Sequence, residues 1–211
     1  PHQGELVFGI HARRAEHLDG FVDHFGADPI SRQHGHFRRH GADDTGGRFA
    51  GKTVLVAYWL MKSEPDVYSI HDLAKKKGPD LWEGCRNYTV RNFMRDDMKP
   101  GDFAFFYNSV TAPIGIAGTM RIARSGYPDP TQFDPKSEYY DAKSDPENPR
   151  WLAVDVAEPV IWPRILTLEE MKNAPQLEGM LVLRKGQRLS VMPVTEDEWK
   201  AVHALAGQPL P

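Results

Sequence analysis

The chain has 211 residues and a formal charge of −3, from 26 Lys and Arg against 29 Asp and Glu. That length suits one domain with an extension, and that charge gives no global pull towards nucleic acid or membrane, so any polyanion must be held by a local patch. One cysteine excludes a disulfide framework and fits a cytoplasmic protein, and no apolar run reaches the roughly 18 residues of a membrane span.

The opening stretch PHQGELVFGIHARRAEHLDG lacks the continuous apolar core of a secretory signal. Residues 1–57 hold seven of the nine histidines and nine of the eighteen glycines, without helical or alternating periodicity. So few clustered apolar residues cannot offset an ordering entropy of about 1–2 kcal/mol per residue. HGHFRRH places His34, His36 and His40 close together, but no cysteine or suitably spaced carboxylate accompanies them, which argues against a metal site. Residues 1–55 are therefore expected to be a disordered or mistranslated extension. Val56, whose codon can start translation, directly precedes AYWLMKSEP.

From Tyr58 onward periodic patterns begin. TVLVAYWL (53–60) is β-rich and predicts a first strand. SIHDLAKKKG predicts a short helix, with Ser69 as cap, Asp72 at the capping-box position and Gly78 as terminator. NYTVRNFMRDDM (87–98) predicts a second helix, capped by Asn87, with Val90, Phe93 and Met94 on one side. KPGD (99–102) reads as a turn before two strands, FAFFYNS and GIAGTMRIA, joined by VTAPI. WLAVDVAEPV (151–160) predicts another strand. Thr167 with Glu170 and Thr195 with Glu198 are capping boxes that open two further helices, and RLSVMPV (188–194) is a strand between them. GMLVLRKG (179–186) is apolar enough for either type. Strands interleaved with short helices, without a repeat or a βαβ rhythm, predict a mixed α+β fold built on a small barrel.

Residues 125–149 carry five prolines and no apolar period, yet contain Tyr127, Phe133, Tyr139 and Tyr140. Connections this long are functional or disordered, and the aromatics argue for an ordered loop that covers something.

No G-x-S-x-G, phosphate loop or H-E-x-x-H is present. Lys62 and Ser63 of KSEP tempt one towards a Ser-Lys nucleophile, but neighbours on a strand point to opposite faces. His71 and His203 sit on helices without evident triad partners. Polar recognition fits better. Lys62, Ser63, Asn87, Asn108 and Ser109 fall at strand ends or helix starts, where side chains can converge, and Trp82 and Tyr107 add flat faces for stacking. Lys75, Lys76, Lys77, Arg86, Arg91 and Arg95 supply a local basic rim, although the three lysines also suit a solvated helix end. Trp59, Trp151 and Trp199 read as core, Cys85 as a small packed residue, and Trp82 as either core or site wall.

Taken together, AYWLMKSEP, LWEGCRNYTVRNFMRDDMKPGDFAFFYNS, GIAGTMRIARSGYPDPTQFD, PRWLAVDV and RLSVMPVTEDEW resemble the EVE domain family, from about Ala57 to Leu205. The resemblance implies a PUA-like fold, a curved mixed β-barrel flanked by short helices, akin to the YTH readers of methylated adenine. It also implies a modified base, notably modified cytosine in DNA, flipped into a pocket. Carried over by motif, that pocket would draw on Lys62, Ser63, Trp82, Arg86, Asn87, Tyr107, Asn108, Ser109, Tyr127 and Asp129. Lys75, Lys76, Lys77, Arg91 and Arg95 would contact phosphates. Two positions depart from the family: Asn108 stands where histidine is frequent, and Cys85 where a β-branched residue is commoner. An asparagine donates and accepts at once but cannot become cationic.

The expected function is a non-enzymatic, monomeric module that binds DNA or RNA carrying a modified base, without metal or cofactor. Its rivals are an RNA- or base-processing enzyme using the same pocket, and a protein-interaction module docking through the aromatic loop.

Overall fold

In the computed structural model, the described residues are 56–211, and the expectations for residues 1–55, His34, His36 and His40 among them, lie outside these. Strand β1 (Tyr58–Ser63) starts later than the predicted 53–60 run and continues into KSEP. Its alternation sends Trp59 and Met61 into one apolar cluster, and Leu60 with Tyr58 towards another. A strand apolar on both faces belongs inside a sheet. β1 indeed lies between β3 (Phe103–Asn108), which is parallel, and β6 (Val191–Val194), which is antiparallel.

β4 (Gly115–Pro128), β5 (Leu152–Thr167) and the short β2 (Asp80–Trp82) complete a six-stranded mixed sheet in the order β2-β5-β4-β3-β1-β6. It curls into a half-barrel flanked by short helices. The mixed α/β expectation holds, with a sheet that leaves β2 and β6 as edges rather than closing fully.

The helices divide between the faces. α1 (Ile70–Ala74) opens on the Ser69–Asp72 capping box, and α2 (Tyr88–Asn92) opens on Asn87, whose side chain accepts from Thr89 N and Val90 N. The predicted 87–98 helix changes pitch midway and ends as a π-helical turn over Phe93–Asp97. Ile70, Leu73, Val90 and Met94 bring these elements onto the first cluster with Trp59, Met61, Trp82 and Phe106. α3 (Leu168–Lys172) and α4 (Glu196–Ala206) begin with the two predicted capping boxes, and bring Met171, Trp199 and Val202 onto the second cluster. There Trp199 stacks on Phe105 at 4.1 Å between centroids, worth about 0.5–1.5 kcal/mol beyond its burial. GMLVLRKG is neither helix nor strand but contains a 3-10 turn, Leu181–Leu183. Among the described residues, no helix is long and apolar enough to cross a membrane.

One buried carboxylate anchors the start of the body. Asp102 accepts from Trp59 Nε1 (3.1 Å), Ala57 N (3.0 Å) and Lys99 N (2.8 Å), which joins the KPGD turn to β1.

Candidate functional site

The two edges of the half-barrel approach each other at one end. Cys85, three residues past β2, has its Sγ 3.8 Å from Oγ of Ser190, the residue before β6. The Ser190 carbonyl in turn accepts from Lys62 N at 2.8 Å. The seam therefore lies beside the C-terminal end of β1, where Ser63 is in register with Asn108, the last residue of β3.

Strand alternation divides the residues expected to converge. Ser63 and Asn108 follow Met61 and Phe106 onto the first cluster's face, whereas Lys62 and Tyr107 follow Leu60 and Phe105 onto the second. Tyr107 is buried in that second cluster, and burial pushes its hydroxyl up to about 12. Burial likewise lowers the pKa of the half-buried Lys62 amine. The structure thus assembles Ser63, Trp82, Asn108 and Ser109 without Lys62 and Tyr107.

Within this group the local bonds are mostly internal. Ser63 Oγ donates to Tyr68 O (2.6 Å), and Ser109 donates to Ser63 O through both its N (2.8 Å) and its Oγ (3.0 Å). Trp82 lies on β2 and is 7% exposed. Its ring packs edge-on against Phe106 (5.5 Å) and Tyr68 (6.2 Å), so it floors this end of the first cluster. Asn108 is 8% exposed, and its Oδ1 has no hydrogen-bond partner among the described residues. A buried acceptor left unpaired costs about 1–3 kcal/mol, so a group that supplies an N–H or O–H there would recover that loss.

Arg86 and Asp129 form a strut. Asp129 is fully buried and accepts from Arg86 Nη1 (2.7 Å), Gly84 N (3.0 Å), Thr131 N (2.9 Å) and Thr131 Oγ1 (2.6 Å). Arg86 further donates to Thr131 Oγ1 (2.9 Å), and to Tyr139 O through Nε (3.0 Å) and Nη2 (2.5 Å). Both residues, expected at the pocket, hold the backbone around Gly84, Thr131 and Tyr139 in place. Asn87 similarly caps α2. Tyr127 donates its hydroxyl to Asp155, which alternates away from the Val154–Trp82 side of the sheet, so Tyr127 does not join the group.

The long connection is ordered and covers the segment after Trp82. Its first residues extend β4 to Pro128, and a 3-10 turn follows over Pro130–Phe133. Buried Gln132 donates to Asp129 O (2.7 Å) and Trp151 O (2.9 Å) and accepts from Trp151 N (3.0 Å), pinning the loop at both ends. The Tyr139 ring then lies directly on Gly84, where an added Cβ would sit 2.6 Å from a ring carbon; with φ at +80°, this position demands glycine.

Glu83 is the residue the sequence reading passed over, although it stands between Trp82 and Gly84 in the quoted motif. Its carboxyl is pushed up to about 7, first by burial, then by Asp129 and Asp80, with Arg86 opposing and Glu138 adding. Tyr139 is pushed up to about 12 by burial and by Glu138, Glu83, Cys85 and Glu64. The influence of Glu83 and Cys85 on Tyr139 fits the position of its ring on Gly84, which stands between them in the chain. Burial pushes the Cys85 thiol up to about 11, the opposite of an activated nucleophile.

The basic rim is partly neutralised. Lys75 pairs with Asp72 (2.8 Å), Lys76 with Asp80 (3.3 Å) and Arg95 with Asp96 (2.8 Å). Arg91 donates to Asn92 Oδ1 and lies over the Tyr88 ring at 4.8 Å. Lys77, three residues past the end of α1, is exposed.

The whole body, residues 57–205, matches the EVE domain. The chain belongs to the EVE domain family. Human thymocyte nuclear protein 1 is 40% identical to it over 169 residues, covering 72% of this chain and 74% of the relative. A protein of Pseudomonas syringae shares the fold of this EVE domain with a TM-score of 0.68 at 48% identity, over 71% of this chain and 99% of that one. Human thymocyte nuclear protein 1 in complex with 5-methylcytosine-containing DNA gives a TM-score of 0.67 at 40% identity, over 73% of this chain and 99% of that one.

Proposed function

We propose that this EVE domain is a non-enzymatic reader of modified bases in DNA, taking a flipped 5-methylcytosine into the mouth between Trp82, Asn108 and Tyr139. The observation that carries this reading is the 40% identical relative with the same fold, whose complex contains 5-methylcytosine DNA. The geometry supports it. An aromatic floor, a ring on the covering loop and a buried unpaired acceptor suit a planar polar ligand more than a peptide. Binding without turnover is favoured because Ser63 Oγ already donates to a carbonyl, and the Cys85 thiol stays protonated at neutral pH.

The test is fluorescence anisotropy with duplexes that differ only in one central 5-methylcytosine, with matching RNA alongside. A clear preference for the methylated DNA is expected. Equal binding to methylated and unmodified duplexes, or tighter binding to RNA, would refute the proposal. Incubation followed by mass spectrometry of the base should return it unchanged.

A further inference from the structure

The hairpin that carries Asn108 ends in an apolar tip. Asn108 closes β3 in register with Gly115, the first residue of β4, so the connection over 109–114 grows directly from the pocket residue. Its sequence, SVTAPI, holds no charge, and Val110, Ala112 and Pro113 are all exposed, Val110 at 71%. Single apolar residues on a surface are ordinary, so exposure alone would mean little. The backbone adds an independent mark. Val110 has φ at +67°, and Thr111 N donates to Ser109 O at 2.7 Å, closing a γ-turn about Val110. Positive φ strains a β-branched residue, and glycine or asparagine would hold the same turn with less strain. The turn is pinned on both sides. Ser109 donates to Ser63 O through N and Oγ, and Thr111 Oγ1 donates to Asp66 Oδ2 at 2.7 Å. An apolar side chain is thus held out to solvent, in a backbone conformation that disfavours it, about 7 Å of chain from Asn108.

We propose that Val110 is a wedge for double-stranded DNA: while the modified base occupies the mouth beside Asn108, this side chain enters the gap that the base leaves in the stack. The wedge rests on the reader function proposed above, and supplies the step by which a base held inside a duplex is kept out of it.

Taking a base out of a duplex costs its stacking and pairing, and opens a gap between two base pairs. An apolar side chain in that gap regains contact with the exposed base faces, as apolar wedges do between unstacked steps. A polar side chain would lose its hydration there instead. Because the turn is fixed to Ser63 and Asp66 before DNA arrives, little further ordering is needed on insertion. A base in an unpaired overhang leaves no gap between pairs, so its capture gains nothing from the wedge.

The experiment compares the full chain, wild type, Val110→Asn and Val110→Gly, on two DNAs that each carry one 5-methylcytosine. In the first it is paired at the centre of a duplex, and in the second it lies in an unpaired overhang of the same duplex. Asparagine and glycine tolerate positive φ, so urea unfolding should show an unchanged or higher midpoint in both variants. Affinity for the central site should fall on the order of tenfold in both, while affinity for the overhang stays within about twofold. Equal losses on the two DNAs would overturn the wedge and make the tip a plain contact. Full affinity of both variants for the central site would also overturn it, and would leave the apolar tip to a protein partner. If the wild type still prefers methylated to unmodified DNA in either case, the reader function stands without the wedge. A wild type with no methyl preference on either DNA would remove both.

Discussion

Asp129 and Asn108 are both buried and polar, and both carry over by motif to the expected pocket, yet the fold treats them in opposite ways. Asp129 has donors from a guanidinium, two backbone N–H groups and a hydroxyl. Asn108 keeps an acceptor without any among the described residues. The first arrangement is that of a scaffold, where every lone pair is met and the loop is locked to Arg86 and Gly84. The second is that of a site, where local stability is lower in the absence of whatever completes it. The difference separates the motif residues of one family into two jobs that their spacing alone does not distinguish.

Mutations can break this comparison, beginning with the largest effect. Trp82→Ala should cost about 3–5 kcal/mol of stability, because the ring floors a cluster containing Phe106 and Tyr68, and should also abolish binding. Urea unfolding reads the first effect, and anisotropy at a denaturant-free plateau reads the second. Asp129→Asn should cost less, about 1.5–3 kcal/mol, the value of hydrogen bonds to a charged group. Its affinity loss should shrink on cooling or in osmolyte, as expected if the residue acts through the loop it holds.

How much of this was legible in the sequence depends on the length scale of the signal. All three capping boxes and the Asn87 cap were readable, because a cap is a contact within four residues. β2 was missed because three residues cannot display a period, which is why Trp82 read as either core or site wall. The extension of β4 through Ser125, Gly126 and Pro128 was hidden by turn-forming residues. β5 runs on to Thr167 despite Pro159 and Pro163, because β2 pairs only with its Val154–Val156 portion and leaves one side open beyond. Tyr107 and Lys62 were grouped with Asn108 and Ser63 by motif, although the strand period of two already assigns them to the other face. Glu83 carried no sequence signal of its own, since its perturbation comes first from burial and then from Asp129 and Asp80, and the burial and Asp129 are brought to it only by the fold.

Two titrating groups sharpen the contrast with opposite slopes. His203 is buried among Phe105, Trp162 and Trp199, and burial lowers its pKa. The folded chain keeps this imidazole neutral while the unfolded chain protonates it. Its contribution is therefore complete above about pH 6.5 and is lost as pH falls, by up to about 1.4 kcal/mol per unit. His203→Leu should flatten that acid limb in urea melts. Glu83 works the other way: its folded pKa lies above the unfolded one, so its ionisation weakens the fold as pH rises towards about 7. Glu83→Gln should gain relative stability at pH 8. The smallest effect belongs to the rim. Lys77→Gln should change affinity little at physiological salt, while reducing the salt slope by about 0.9, one phosphate contact. An unchanged slope would remove Lys77 from the interface.

The most direct measurement pairs binding with unfolding in Asn108→Leu, which replaces the unpaired amide by an apolar side chain of similar size. The account predicts unchanged or higher stability, by up to about 1 kcal/mol, together with lost preference for the duplex carrying 5-methylcytosine. Lower stability with the methyl preference intact would contradict it, and would make Asn108 part of the scaffold instead of the site.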